Sequence, residues 1–292
     1  MAAAAVAAAQ DVPIKVDVDV VNVLCNVYDR HGALVNNLDR NDFLVREDGK
    51  PQPIRYFARE TDLPLTIALL VDVSGSVRRF VQAEKETAER FFQSILRPQD
   101  QALLTGFSST VVPWQDFTAS PARLLAALET MRAIPFRGYP TDGRPVPGTL
   151  LYDAVESTAR GKLQTVGGRK AMVIISDGVD IGSRASLAAA VRAVQTANTI
   201  VFGICYLNPR FSGCAYLKEL ADPTGGRMFQ LDGKTPLEKI FQAIQEQLRS
   251  QYSLGFSPRN TAHDGRYRKL EIRVKPRGLR VEARKGYYAP GG

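Results

Sequence analysis

The sequence predicts an α/β fold in which a doubly wound, mostly parallel sheet is inserted into a β-sandwich-like domain. Two almost wholly apolar segments, 65–71 and 171–176, are each followed by a carboxylate, as expected of buried parallel strands that end at a polar edge. Across residues 63–249, strand patterns alternate with amphipathic helix patterns. Before and after this region, apolar and polar residues alternate with period two, which is typical of half-buried strands.

The two chain ends have the pattern of an all-β structure. In the N-terminal segment, residues 12–62, alternating apolar residues run from Ile14 to Val20 and continue after a phase shift from Val21 to Val27. The C-terminal segment, residues 250–292, returns to the same period. Because neither segment has enough strands for a core of its own, we expect the two to pair into one domain.

The central region, residues 63–249, is predicted to form the α/β sheet. Alternating apolar strands and amphipathic helices are typical of doubly wound sheets, in which ligands bind beyond the carboxyl ends of the strands. The predicted elements are strand 65–71, helix 78–96, strand 102–107, helix 121–132, helix 150–161, strand 171–176, helix 186–197, strand 199–205, strand 227–231 and helix 235–250.

Composition and the first residues bear on location. Of 292 residues, 45% are hydrophobic and 23% are charged, which is ordinary for a globular protein. No apolar run reaches about 18 residues, so no transmembrane segment is predicted. Residues 1–11 resemble the end of a secretory signal with its small-residue cleavage site, or else form a disordered tail. The first interpretation predicts an exported protein that is periplasmic, at the cell surface or secreted.

The chain is basic, with 38 Lys and Arg against 30 Asp and Glu, a net charge of +8. This net charge favours acidic partners or anionic surfaces. Many of the basic residues lie in the segment 266–285, for which nucleic-acid binding is one interpretation. The same segment alternates as a strand would, with Leu270, Ile272 and Val274 on one face. We therefore interpret the charges as a solvated strand face and predict no nucleic-acid partner.

The chain has three cysteines and two histidines, His31 and His263. Cys205 and Cys214 bracket a loop rich in turn formers, so either a disulfide in an oxidising compartment or two free buried thiols would fit. Without a Cys-x-x-Cys motif, a zinc site is poorly supported.

Five oxygen-bearing residues are the candidate metal ligands. Asp72, Ser74 and Ser76 follow a predicted strand at alternate positions, so their side chains can converge. Asp177 ends a second central strand, and Thr149 begins a helix at the same edge of the sheet. Carboxylate and hydroxyl oxygens suit a small hard cation. The alternative is that these residues only form turns and cap helices.

Three motifs together resemble the von Willebrand factor A domain, a relative of the integrin inserted domain. They are Asp-Val-Ser-Gly-Ser at 72–76, Gly-Thr-Leu-Leu-Tyr-Asp-Ala at 148–154 and Ile-Ser-Asp-Gly at 175–178. The resemblance implies a Rossmann-like A domain over residues 63–248. The flanking segments are similar to bacterial, acidobacterial-type A-domain-related proteins.

The same resemblance implies a metal-ion-dependent adhesion site. Its metal residues would be Asp72, Ser74, Ser76, Thr149 and Asp177. The expected ion is Mg²⁺, with Mn²⁺ or Ca²⁺ as alternatives. The expected partner is a protein whose carboxylate completes the coordination.

Three function classes compete. A metal-dependent protein-binding module is favoured, and a metal-independent structural or assembly scaffold in the cell envelope is the alternative. An enzyme is not expected, because the segment 106–110 lacks the second glycine of a nucleophile elbow and both histidines fall in predicted turns. The oligomeric state and the partner's identity are not predicted.

Overall fold

The structure, a computed structural model, describes residues 20–60, 63–74, 85–131, 148–206, 213–231 and 235–291. The helices are α1 Lys85–Ile95, α2 Pro121–Thr130, α3 Leu151–Gly161, α4 Leu187–Thr196, α5 Cys214–Ala221 and α6 Leu237–Arg249. The strands are β1 Val21–Tyr28, β2 Phe43–Glu47, β3 Lys50–Gln52, β4 Tyr56–Glu60, β5 Leu65–Asp72, β6 Gln101–Phe107, β7 Val111–Thr118, β8 Arg169–Ser176, β9 Thr199–Tyr206, β10 Met228–Leu231, β11 Gln251–Phe256, β12 Tyr267–Val274, β13 Arg280–Ala283 and β14 Gly286–Tyr288.

The central sheet has six strands in the order β10-β9-β8-β5-β6-β7. Its pairs are parallel except β6 with β7, which is antiparallel. Every residue of β5, β8 and β9 is buried, because helices cover both faces of the sheet and each face has its own apolar core. On one face, α1 and α6 meet where the ring of Phe91 stacks on that of Phe241 at 4.0 Å. The predicted doubly wound α/β fold is thus confirmed.

Two central elements were not predicted. The strand β7 keeps most of its residues partly exposed, contains Pro113 and pairs irregularly with β6, so it lacks the apolar run that marks the inner strands. The helix α5 has only eight residues and follows directly on the turn-rich loop between the two cysteines. The tail 1–11, the strand positions 14–19 and the start of the helix expected from 78 lie outside the described residues.

The N-terminal and C-terminal segments share two four-stranded sheets, ordered β13-β1-β11-β4 and β14-β12-β2-β3. The strand β1 pairs antiparallel with both β11 and β13, and β12 pairs antiparallel with β2. Buried residues of both sheets form one cluster around Tyr252, whose hydroxyl donates to the carbonyl of Val35 at 2.8 Å. The expected pairing of the two ends is therefore present, whereas the exact domain boundaries stay a prediction.

The basic segment 266–285 is not wholly a solvated face. In β12, Leu270 is buried as expected, but Arg268 lies on the same side and is only 2% exposed. Its guanidinium donates to the carbonyls of Asn260 and Ala262 at 3.0 and 2.7 Å. Positions 268 and 270 share a face because side chains alternate along a strand, so the prediction was wrong for this arginine.

A buried ion pair joins Asp100, which directly precedes β6, to Arg249 at the end of α6. The carboxylate of Asp100 accepts from the backbone N–H of Leu65 at 2.8 Å and of Arg97 at 2.9 Å, and it pairs with Arg249. The Asp100 side chain is 0% exposed and that of Arg249 is 11% exposed. Nearby, Asn26 of β1 donates to the carbonyl of Gln247 at 2.7 Å, which connects the same helix to the outer sheet.

None of the helices within the described ranges combines the length and apolar character needed to cross a bilayer.

We predict that Asp100→Ala lowers the free energy of unfolding by about 3 kcal/mol, because it leaves a nearly buried arginine and two backbone N–H groups without their acceptor. Urea unfolding measures the loss. The matched control is Asp116→Ala, whose partner Lys162 is 41% exposed and which is itself 61% exposed. That change should cost less than about 1 kcal/mol. Equal losses in the two variants would contradict the structural role of the buried pair.

Candidate metal centre

The ends of neighbouring strands bring the two predicted carboxylates to one edge of the sheet. Asp72 is the last residue of β5, and Asp177 directly follows β8. The two strands pair in parallel, with Val71 opposite Ile175. Because parallel strands end at the same edge, both carboxylates lie beyond the carboxyl end of the sheet, where doubly wound folds bind ligands.

Asp72 is fully buried and is held by neutral donors. Its Oδ1 accepts from the backbone N–H of Ser74 at 2.9 Å. Its Oδ2 accepts from the hydroxyls of Ser176 at 2.8 Å and Tyr206 at 3.3 Å. No lysine or arginine of the described residues forms an ion pair with it.

This setting shifts the protonation of Asp72. Burial raises the pKa of the Asp72 carboxyl to about 6, and the nearby charge of Asp177 adds to the rise, while the hydrogen bonds from Ser74 and Ser176 oppose it. The carboxylate is thus a buried negative charge that lacks an opposite charge among the described side chains.

Thr149 is held at the same edge by backbone hydrogen bonds. The N–H of Thr149 donates to the carbonyl of Ile181 at 3.2 Å, and the N–H of Ile181 donates back at 2.8 Å. The N–H of Leu150 donates to the carbonyl of Ser108, just after β6, at 2.8 Å. The helix α3 begins at Leu151 with Leu150 at its N-cap and no side-chain cap, so Thr149 does not act as the helix cap.

Asp177 sits in a tight loop that packs against the segment leading into α5. Its carboxylate accepts from the N–H of Val179 at 3.1 Å, and its carbonyl accepts from the N–H of Gly213 at 2.9 Å. Gly178 has φ +79°, and a Cβ there would lie 2.2 Å from the carbonyl oxygen of Gly213. The close approach of the two backbones therefore requires glycine.

A disulfide between Cys205 and Cys214 closes this packing, with the two Cα atoms 5.5 Å apart. Of the two alternatives left open by the sequence, the disulfide is the one present. It ties the end of β9 to the start of α5, next to Gly213 and the loop of Asp177. Cys25 is a buried free thiol.

The structure places Asp72 and Asp177 within electrostatic reach of each other and the backbone N–H of Ser74 on the Asp72 carboxylate, with Thr149 at the same edge of the sheet, while the five-residue metal site stays a prediction. Ser76 and most of the loop expected at the rim, 135–147, lie outside the described residues. The sequence analysis did not identify two residues whose hydroxyls donate to the Asp72 carboxylate, Ser176 and Tyr206. Both are the last residues of strands beside or near β5, so a search for polar residues at every strand end would have found them.

The donor set fits a hard cation better than a soft one. Within the described parts of the chain, no group of three His, Cys, Asp or Glu side chains could hold a metal ion. What the edge offers is two carboxylates supplemented by hydroxyls, which are oxygen donors suited to Mg²⁺ or Mn²⁺. The buried charge of Asp72 gives a cation a clear electrostatic reason to bind there.

In metal-free buffer, we predict that stability falls as the pH rises from about 4 to about 6. The folded state binds the Asp72 proton more tightly than the unfolded chain, so its contribution is complete below the unfolded pKa and is lost above the folded one. The loss attributable to this carboxyl is at most about 3 kcal/mol. Urea unfolding across this range in chelator should show the decline in the parent and a flatter profile in Asp72→Asn. Parallel profiles would contradict it.

We predict that replacing both Cys205 and Cys214 by serine lowers the free energy of unfolding by about 2–3 kcal/mol, because the crosslink closes a short loop. The variant should also raise proteolysis and amide exchange in the loop of Asp177, whose carbonyl is bonded to Gly213. Hydrogen exchange followed by mass spectrometry measures this. Cys25→Ser is the control for loss of a sulfur outside the crosslink, and unchanged exchange near Asp177 in the double variant would contradict the coupling.

Comparisons with known proteins agree with this geometry. The sequence profile of the von Willebrand factor type A domain matches residues 67–179. A search of curated proteins gives no significant match.

Several solved structures share the fold. The conserved hypothetical protein BatB from Bacteroides thetaiotaomicron aligns with a TM-score of 0.50 at 14% identity, over 63% of this chain and 97% of that one. The von Willebrand factor domain of the type V pili tip protein Mfa5 from Porphyromonas gingivalis aligns with a TM-score of 0.50 at 12% identity, over 63% and 94%. Proximal thread matrix protein 1 from the mussel byssus, solved with zinc in its MIDAS motif, aligns with a TM-score of 0.53 at 13% identity, over 69% and 49%.

At these identities the structural likeness establishes the fold alone. The profile match covers the strands that carry both Asp72 and Asp177. Over residues 67–179 the central α/β region of this chain is therefore similar to the von Willebrand factor type A domain.

Proposed function

We propose that this chain is a metal-dependent protein-binding module of the adhesion type. In this proposal, Asp72, Ser74, Ser76, Thr149 and Asp177 hold Mg²⁺, or Mn²⁺ or Ca²⁺ in its place. The observation that carries the proposal is the fully buried carboxylate of Asp72 beside Asp177, with neutral hydrogen-bond donors and no basic side chain paired with it in the described structure. A bound divalent ion supplies the missing positive charge and a position for an oxygen of a partner.

The partner is proposed to be a protein that presents a carboxylate. Five residues, each giving one oxygen, do not fill the six positions around Mg²⁺, so at least one position stays open for an oxygen of a partner. Ile181, which is bonded to Thr149 through the backbone, is 51% exposed at the rim of this edge. A partner whose acidic side chain is flanked by an apolar one would match both features.

The proposal places the protein outside the cytoplasm. The disulfide between Cys205 and Cys214 supports an oxidising compartment. Solved structures of similar fold include a type V pili tip protein and an aerotolerance-related membrane protein, each described so in its own right. An exported location, in the periplasm, at the cell surface or secreted, is consistent with these observations.

We propose a binding function and not an enzymatic one. His31 and His263 both lie in the segments that flank the α/β region, away from the carboxyl edge of the central sheet. A Ser-His-Asp arrangement at that edge therefore has no histidine among the described residues. The second candidate function is the metal-independent scaffold, favoured by the extensive outer sheets that carry strands from both chain ends.

Titration of Mg²⁺ and Mn²⁺ into the chelator-treated full chain tests the proposal. We expect saturable binding by the parent and a loss of at least about tenfold in Asp177→Asn, because the neutral amide no longer orders or neutralises the ion. Asp116→Asn is the matched control: it makes the same change on the exposed edge strand β7 and should bind as the parent does.

Two outcomes would count against this function. If neither ion binds the folded parent and neither ion raises its melting temperature, the metal-independent scaffold is the better account. If Asp177→Asn and Asp116→Asn bind metal equally to the parent, the ion is held elsewhere.

A further inference from the structure

A pocket lies at the end of the central sheet opposite Asp72 and Asp177. It has a volume of about 260 Å³ and is lined in part by Asn198, which immediately precedes β9. Since Tyr206 at the far end of β9 contacts Asp72, the length of this strand separates the pocket from the candidate metal centre. The other walls come from Asn22 at the start of β1, the loop before β12, and the segment around Arg284.

Arg284 faces this pocket with only neutral partners. Its Nη1 donates to the side-chain oxygen of Asn198 at 3.0 Å, and its Nη2 donates to the carbonyl of Asn22 at 2.5 Å. Its Nε is buried and has no hydrogen-bond partner. A guanidinium has five N–H donors, so donors remain that could bind a further acceptor.

The charge of Arg284 is not balanced by an acid. No ion pair in the described parts of the chain includes it, and the pocket lining contains neither aspartate nor glutamate. Burial lowers the pKa of the Arg284 guanidinium to about 10, because the charged form loses hydration there. The guanidinium nevertheless stays charged at neutral pH, so the pocket has an uncompensated positive charge.

The other arginine that lines the pocket, Arg268, has an acidic partner. Arg268 pairs with Asp264 at 3.3 Å and donates to two carbonyls of the loop before β12. Its charge is matched, and its hydrogen bonds fix the loop that forms one wall. The pocket is therefore a shaped cavity whose net positive charge comes from Arg284.

A water molecule does not resolve this imbalance. Behind Arg284 is a small cavity of about 20 Å³ that also touches Asn198 and Thr224. It has room for one water, which could accept the Nε–H. Water would satisfy a donor but leave the charge uncompensated, whereas an anion in the larger pocket would compensate the charge.

We propose that this pocket binds a small oxyanion, the phosphate or carboxylate group of a compact molecule. The planar guanidinium fork matches either group. The volume admits a compact ligand and is below the range of typical drug-sized sites. Asn198 belongs to the α/β region, whereas Asn22 and Arg284 belong to the outer strands, so a bound anion would reinforce the contact between them.

The test is calorimetric titration of the full chain with inorganic phosphate and, separately, with succinate. Sodium chloride keeps the ionic strength constant. Metal is removed with chelator beforehand, and the chelator is then dialysed away because its own carboxylates could occupy the pocket. We expect one saturable site for at least one of the two anions. Binding of phosphate alone assigns the site to phosphate groups, and binding of succinate alone assigns it to carboxylates.

Three variants locate the site. Arg284→Gln removes the charge and should weaken binding at least tenfold. Asn260→Asp keeps the acceptor that holds the N–H of Ala262 at 3.2 Å but adds a negative charge to the lining, so it should weaken binding similarly. Arg277→Gln, in the exposed turn after β12, makes the same charge change as the first variant away from the pocket and should bind as the parent does.

Absence of saturable binding of both anions to the parent overturns the proposal, as does equal affinity in the parent and all three variants. If Arg284→Gln fails to fold, Asn260→Asp decides, because its exposed position should leave the fold intact. Since the protein is freed of metal before the titration, the result is independent of whether the carboxyl edge of the sheet binds metal.

Discussion

The fully buried carboxylate of Asp72 is the constraint around which the α/β region is arranged. An isolated charge inside a protein is strongly unfavourable unless a proton, a cation or hydrogen bonds compensate it. Here the compensation comes from the ends of separate elements: Ser176 closes β8, Tyr206 closes β9, and Ser74 follows β5. The parallel order of these strands is what brings their ends to one point. A change of strand order would scatter the donors and leave the carboxylate without them.

The sequence predicts much of this arrangement because parallel strands have a strong signature. Long apolar runs predicted β5 and β8, and the rule that their ends share an edge placed Asp72 and Asp177 together. Period-two alternation likewise predicted β1, whose residues Val23 and Val27 are fully buried. In these cases local pattern and tertiary position agree, since each strand is buried for its whole length or on one whole face.

The features that the sequence did not predict depend on contacts between elements that are distant in the chain. The hydroxyls of Ser176 and Tyr206 reach the Asp72 carboxylate only because β8 lies beside β5 in the sheet and β9 lies beside β8. The strand β7 has partly exposed side chains and thus no apolar run, and the short helix α5 begins at the crosslinked Cys214 and packs against β9. Charge was a poor guide to exposure. Arg268 and Arg284 lie in a segment that is basic as a whole, yet each has its guanidinium engaged by carbonyl or amide oxygens.

The pairing of β4 with β11 places Glu60 opposite Gln251, directly before and after the α/β region. In topological terms the whole α/β region is therefore the loop of a β-hairpin. Because the two ends of the α/β region lie side by side, this region could be inserted or removed at little cost in free energy, since a short turn would join β4 to β11. The outer sheets and the inserted domain can consequently change independently over evolution, as long as the residues at their contact, such as Arg249 and Asn26, keep their partners.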